Sequence, residues 1–483
     1  MRNIVLGYLL SFLYMLSVIV VGELIQKKFN TDKERTRKAE HIATSASWAL
    51  CYLFVGPSYH LVIVNFLALL GLAFLTFSGL MKSVERRDTA RSYGLLYFGL
   101  STFLNILIAI LVDVKLVPIT AVAYYCLALA DGFAPIVASA FNKRNVTVFE
   151  PKTLVGFFTV FIISSLVALF CSMIFGLSYS PLLIVSVGSL AAHTELYGKR
   201  GLDNLTLPFS VFGYLTLHHY GLVSTSAEVA LTVLTLFTLL AALSGSLTYA
   251  GGAVSFCYIL LCAVFAPVSL CTMIFALFFI EAVISKITGR LSKKTEDTHG
   301  SKKGRGGYQI FANTAASLIF VTVYFITKNP VFFIAASVAV AEEFADSVAS
   351  GIGRLSKKAP LDIIRLKPTV AGISGGVSLL GIFAAILGSF AAASVLFTFG
   401  DVSLTGFLII SAIAFFGTVI DSILGSLLQV LFRCPACDSL TESKAHCGAE
   451  AVKIKGISFI DNSTVNLLSG FITAIVSVFI PIV

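Results

Sequence analysis

VAEEFADSVASGIG, residues 340–353, closes an apolar run that begins near Pro330 and reads as a membrane-spanning helix, yet it carries Glu342, Glu343 and Asp346 before that helix ends. An acid at the middle of a helix in a bilayer costs on the order of 2.5–3.5 kcal/mol, so three of them need partners or a watery cavity. These three lie toward one end of the run. Glu342 and Asp346 are four residues apart and Glu343 and Asp346 three apart, so the glutamates flank the aspartate along nearly one helix face. That face suits a divalent cation, because Mg²⁺ takes a few carboxylates and fills its remaining positions with waters and substrate phosphates. The other reading is that the acids snorkel at a helix end beside Arg354, Lys357 and Lys358.

The surrounding composition fixes the solvent. Of the 483 residues, 57% are apolar and 12% charged, far from the balance of soluble domains. An all-α polytopic integral membrane protein is expected, with about sixteen spans of roughly 17–25 residues. The first run, Ile4 to Ile25, is read as a retained helix. Of the 34 basic residues, all but Arg2, Lys115 and Lys328 fall in alternate connections between runs: 27–40, 82–91, 143–152, 198–205, 286–309, 353–368 and 432–460. The positive-inside rule then makes those connections cytoplasmic and puts both termini outside an integral cell membrane. The net charge of +9 is thereby a topology signal rather than a sign of nucleic-acid binding.

The acidic stretch has a second copy. ALADGFAPIVASA (128–140) parallels EEFADSVASGIG, aligning Asp131 with Asp346, and PKTLVG (151–156) parallels KPTVAG (367–372), with Lys152 and Lys367 each 21 residues after their aspartate. GSLAAHTELYG (188–198) then parallels GTVIDSILG (417–425), placing Glu195 against Asp421, and LDNLTLP (202–208) parallels IDNSTVN (460–466), placing Asp203-Asn204 against Asp461-Asn462. Four matched points in one order indicate an internal duplication, here divided into 1–225 and 226–483. Each half brings acids that hold Mg²⁺ (Asp131 and Asp203; Glu342, Asp346 and Asp461) and a lysine that neutralises phosphate oxygens. GISGGVSLLG (372–381) is either a glycine-rich helix start that approaches an anion or a G-x-x-x-G packing face. No G-x-x-x-x-G-K-[ST] signature of soluble nucleotide-binding domains occurs.

Through RKAEH (37–41), ADGFA (130–134), PKTLVG, TELYGKRGLDN (194–204) and Pro208, the first half resembles the phytol/dolichol kinase and phosphatidate cytidylyltransferase superfamily of membrane enzymes. The second half resembles the phytyl-phosphate kinase family in LSGSLTYAGGAVSF (243–256), GRGGYQIFAN (304–313), ADSVASGIG, KPTVAGISGGVSLLG, DSILGSLLQ (421–429), RCPAC (433–437), HCG (446–448) and IDNSTVN. These resemblances imply a two-step kinase that converts a prenyl alcohol, of phytol or geranylgeraniol type, to its monophosphate and then its diphosphate, with Mg²⁺ and CTP or another nucleoside triphosphate. The lipid would enter from the bilayer. They further imply that Asp131, Glu195 and Asp203, then Asp346, Asp421 and Asp461, position the metal–nucleotide, and that Lys152 and Lys367 stabilise the transferring phosphoryl group. Nucleotide contacts are expected from Arg37, His41, Lys199 and Asn204 in the first half, and from Arg305, Asn313, Ser374, Gly375, Asn462 and Asn466 in the second. The second half departs from its family at Gly351 and Ser463, where acids are usual, so Glu342 or Glu343 would take their place. Two rivals stay open: cytidylyl transfer to a phosphatidate-like lipid, and a transporter with repeated halves.

Cys434 and Cys437 form a C-x-x-C, with His446 and Cys447 ten residues later in an expected cytoplasmic loop. Four such ligands close a tetrahedral Zn²⁺ site, and cytosolic disulfides are rare; unmetallated thiols are the alternative. A loop between Asp421 and Asp461 would fix their separation without itself doing chemistry.

Overall fold

In a computed structural model, the protein is described at residues 4–29, 33–78, 93–141, 145–292 and 304–482. It is a multi-pass membrane protein built of α-helices. Among the described residues, ten helices are long and apolar enough to cross a membrane, and Pro181–Leu196, Tyr249–Phe265 and Asn462–Val478 are shorter apolar helices. Large apolar side chains such as Leu111, Ile174 and Phe383 face outward, as they must where the surrounding solvent is hydrocarbon.

The chain divides into two compact units, Met1–Leu243 and Ser244–Val483. The division falls one helix later than the boundary read from the sequence, because Thr225–Leu243 packs against Pro181–Leu196. Ser189 and Thr235 join their hydroxyls across that contact, and Ser180 donates to Glu228 at 3.3 Å.

In the first unit, small residues bring helices together. A Cβ on Gly188 would lie 2.1 Å from Ser165 Oγ and 2.6 Å from the Phe161 carbonyl, so Pro181–Leu196 and Leu154–Phe175 meet nearly backbone to backbone. The Val114–Phe141 span passes through the interior and widens to a π-helical turn over Cys126–Asp131. Such a turn re-aims the side chains beyond it, and here it ends on Asp131.

In the second unit the helix that ends in VAEEFADSVASGIG runs over Pro330–Gly353. Asn329 caps it, its side chain accepting from Val331 N at 3.1 Å, with Pro330 at the first helical position where no N–H is needed. Ala335 and Ala339 on this helix meet Ala316 and Ala474 in a tight apolar cluster flanked by Phe320, Phe471 and Val478. Beyond the Leu404–Leu427 helix the chain leaves helical structure. Leu431–Arg433 pairs antiparallel with both Leu440–Thr441 and Val452–Lys455, and Ala445–His446 pairs with Ala449–Glu450 in a separate hairpin.

Candidate functional site

The first unit gathers its acids around two lysines. The short helix Lys33–Ala43 places Lys38 and His41 three residues apart and therefore on one face. Lys38 Nζ donates to Asp131 Oδ2 at 2.7 Å and to the Asp131 carbonyl at 3.1 Å, and His41 Nδ1 lies 3.5 Å from the same Oδ2. Lys152 arrives from the two-residue strand Lys152–Thr153, just before Thr153 caps the Leu154–Phe175 helix through Gly156 N. It donates to Glu195 and, at 3.1 Å, to Asp203 Oδ2. Burial lowers the pKa of Lys152, but the carboxylates of Glu195, Asp203 and Asp131 outweigh it and hold the ammonium far above its ordinary value.

Asp131, Glu195 and Asp203 are all buried, and each offers an oxygen within 4.8 Å of the others. Among the described residues, these three carboxylates face Lys38, Lys152 and the His41 ring, and their clustered oxygens are donors of the kind that a hard cation takes. Gly198 sets the last of them: a Cβ there would fall 2.3 Å from Asp203 Cβ and 2.7 Å from its Cα. The structure thus brings together Asp131, Lys152, Glu195, Asp203 and His41, and adds Lys38, the second residue of RKAEH (37–41).

Asn204 is occupied in the fold, its Nδ2 donating to the Gly94 carbonyl at 2.8 Å while its own carbonyl accepts from Ser101 Oγ at 2.9 Å. Lys199 sits exposed in the turn after Pro181–Leu196. The side chain of Arg37 lies outside the described residues.

Beside this cluster is an apolar cavity of about 290 Å³ whose lining includes Tyr8, Phe12, Trp48, Leu67, Phe98 and Tyr124. Phe98 joins the two places, its ring set edge-to-face on His41 at 4.9 Å between centroids.

The second unit holds a larger cavity, about 730 Å³, with Glu343, Asp346 and Asp421 in its wall. Asn313 donates to Glu343, Asn466 Nδ2 donates to Asn313 Oδ1 at 3.3 Å, and Ser469 Oγ donates to Asp421 Oδ2 at 3.2 Å. Among the described residues the buried Asn466 Oδ1 finds no donor. Arg305 pairs with Glu281, both at the cavity. Ser374 and Gly375 supply another wall, and Ser374 Oγ donates to Asn462 Oδ1 at 3.1 Å.

Three expectations for this unit need correcting. Glu342 does not line the cavity; it is buried at the small residues of neighbouring helices, where a Cβ on Gly417 would come 2.4 Å from its Cγ, and Glu343 faces the cavity instead. Lys367 is exposed and stands outside the lining, its carbonyl accepting from Asp362 N at 2.9 Å. Asp461 is exposed too: its Oδ1 caps the last helix by accepting from Thr464 N and Oγ1, each at 2.9 Å. The sequence parallels Lys152/Lys367 and Asp203/Asp461 therefore do not carry over into parallel geometry.

Cys434, Cys437, His446 and Cys447 form a third group, with one ligand atom from each within 4.8 Å of the others. A hydrogen bond from the Ser439 hydroxyl, followed by its amide, lowers the exposed Cys437 thiol to about 6, while Cys447, hydrogen-bonded to Cys437, is pushed up to about 11.

The family described as integral membrane protein DUF92 matches residues 232–474, half of the chain, and the protein belongs to that family. It is also 34% identical over 150 residues to Protein PGR of Arabidopsis thaliana; the match covers 28% of this chain and 51% of that protein, so the chain spans about half the length of the curated relative it matches. No solved structure matches it.

Proposed function

We propose that this member of the DUF92 integral membrane family is a lipid kinase that transfers phosphate from a nucleoside triphosphate, CTP in our reading, to a prenyl alcohol and then to the resulting monophosphate. The observation that carries the proposal is the adjacency, in the first unit, of the buried Asp131–Glu195–Asp203 group with its two lysines and an apolar cavity whose wall residue Phe98 packs on His41. An amphiphile with a hydroxyl at one end and a hydrocarbon chain at the other fits that pairing.

The three carboxylates fit a Mg²⁺ ion in donor chemistry, being oxygen ligands with a net negative charge. When bound, the ion would offset the charge of the nucleotide phosphates. The chain's own residues do the rest: Lys152 keeps its proton and faces the phosphate oxygens, while Lys38 and His41 fix the direction of the Asp131 carboxylate. Glu343, Asp346 and Asp421 are the corresponding acids for the second phosphate in the second unit. The reading also places the basic loops in the cytoplasm, both termini outside, and about sixteen spans in all.

The test is incubation of the purified protein with labelled prenyl alcohols and each nucleoside triphosphate in the presence of Mg²⁺. Lipid mono- and diphosphate with released nucleoside diphosphate are expected. Pyrophosphate release with a phosphatidate-like substrate would replace the proposal by cytidylyl transfer, and no turnover of any lipid would overturn it.

A further inference from the structure

The kinase reading gives no chemistry to the strands and turns that follow Leu404–Leu427, although they hold four metal-type ligands and touch the large cavity. Cys434 follows the strand Leu431–Arg433, and the next turn carries Cys437 and then Asp438 at φ 58°. The second pair sits on the other hairpin, His446 ending one strand and Cys447, at φ 51°, opening the turn with Gly448 at φ 75°. Cys437 and Cys447 place their sulfurs 3.7 Å apart, and His446 Nδ1 lies 3.4 Å from one and 3.3 Å from the other. A tetrahedral zinc ion with Zn–S bonds of about 2.3 Å needs its sulfurs separated by about 3.8 Å. A disulfide needs about 2.05 Å. Four soft or borderline donors on two facing turns make the closed set of a structural Zn²⁺ site.

The same segment reaches the cavity through one side chain. Glu442 stands between the two hairpins, and its Oε1 accepts the backbone N–H of Ser374 at 2.8 Å. Ser374 belongs to the loop where Gly372 and Gly375 take φ 88° and 83°, and a Cβ on Gly375 would strike Ser426 at 2.6 Å. Lys455, from the strand Val452–Lys455, holds the Ser426 carbonyl at 3.2 Å. Glu442 and Ser374 both line the cavity that contains Asp346 and Asp421.

We propose that Cys434, Cys437, His446 and Cys447 bind one Zn²⁺ and that this ion, by fixing the two hairpins, latches Glu442 onto Ser374 and holds the glycine loop as a wall of the cavity. The cysteine thiol protons are released as the metal binds. The latch is independent of which reaction the cavity serves, so it stands or falls apart from the kinase reading.

Metal analysis of the purified full chain should give about one Zn²⁺ per protein, lost when Cys434→Ser and Cys437→Ser are combined. Hydrogen exchange followed by mass spectrometry should show the peptide containing Ser374 exchanging about tenfold faster in that double variant and after chelation, with Pro330–Gly353 unchanged as the control for overall folding. Glu442→Ala should speed the same peptide while keeping its zinc, and Glu442→Gln, which retains an acceptor oxygen, should leave it slow. A zinc-free wild type would overturn the site. Zinc bound but Ser374 exchange indifferent to chelation and to Glu442→Ala would overturn the latch.

Discussion

Lys38 Nζ and the Asp131 carboxylate meet at 2.7 Å with 6% and 4% of their side chains exposed, so neither charge has water to fall back on. Removing one partner of a buried ion pair leaves the other uncompensated, which typically costs about 3–5 kcal/mol. Lys38→Met keeps most of the stem's volume and deletes the charge. Its melting midpoint in detergent should drop by roughly ten degrees. Combining it with Asp131→Asn should recover most of that loss without restoring lipid phosphorylation. A Lys38→Met protein as stable and as active as the parent would remove Lys38 from the site.

Gly198 offers a test of how closely the first site is built. An added methyl meets Asp203 Cβ at 2.3 Å and its backbone nitrogen at 2.8 Å, and backbone yields less readily than the far end of a side chain. Gly198→Ala should therefore move Asp203 away from Lys152 and reduce conversion of the alcohol about tenfold or more, a barrier change of about 1.4 kcal/mol. Conversion of monophosphate supplied from outside should be unchanged. Product chromatography separates the two outcomes.

What was legible in the sequence follows from which physical constraint leaves a local mark. Apolar runs bounded by basic loops identify helices in a bilayer, and Asp131 and Glu195 stand out because charge inside such runs is costly, whereas Lys152 and Asp203, in the connections 143–152 and 198–205, stand out through the repeated pattern that they share with the second half. Lys38 left no comparable mark: it lies on an 11-residue polar helix, and its partner is 93 residues away. Glu342 and Glu343 are neighbours in sequence, and spacing places both beside Asp346. The packing of Gly417 and Gly470 against Glu342 leaves the cavity to Glu343. The parallel between Asp203 and Asp461 fails for a local reason. Asp461 stands just before its helix and turns back to Thr464, whereas Asp203 is already inside the first turn of its own helix, with Lys152 as partner.

Asp362 gives a pH dependence. It is buried between the loop and the end of Leu404–Leu427, accepting from Ser426 Oγ at 2.9 Å, Ile364 N at 3.0 Å and Arg365 N at 2.9 Å. Desolvation pushes its pKa up, but those hydrogen bonds prevail and hold it below the ordinary 3.8. A carboxyl whose folded pKa is depressed adds stability that is complete above its unfolded value and is lost as pH falls through the folded value. Hydrogen exchange in 361–376 should therefore be flat from neutrality down to about pH 5 and accelerate, after correction for intrinsic rates, below pH 4. Asp362→Asn should exchange faster at neutral pH and lose the acid step. An unchanged acid step in that variant would assign it to another group.

Asp131 and Asp346 decide whether the two units work separately. Each aspartate lies beside another acid of its own unit, Asp131 with Glu195 and Asp203, Asp346 with Glu343 and Asp421 in one cavity wall. Asparagine keeps the size of the side chain and an oxygen able to accept from Lys38, so Asp131→Asn removes charge with little change of shape. If Asp131 holds the metal–nucleotide for the first phosphate, this variant should stop conversion of alcohol to monophosphate by about a hundredfold or more, since each 1.36 kcal/mol of lost transition-state stabilisation is a factor of ten. Monophosphate supplied from outside should still become diphosphate. Asp346→Asn should do the reverse and let monophosphate accumulate. The second unit is the sharper trial, because Lys367 and Asp461 stand outside its cavity and Gly351, which lines it, brings no carboxylate. If Asp346→Asn leaves both steps at the parental rate while Asp131→Asn abolishes both, the second unit is not an independent kinase and the two-step reading has to be abandoned.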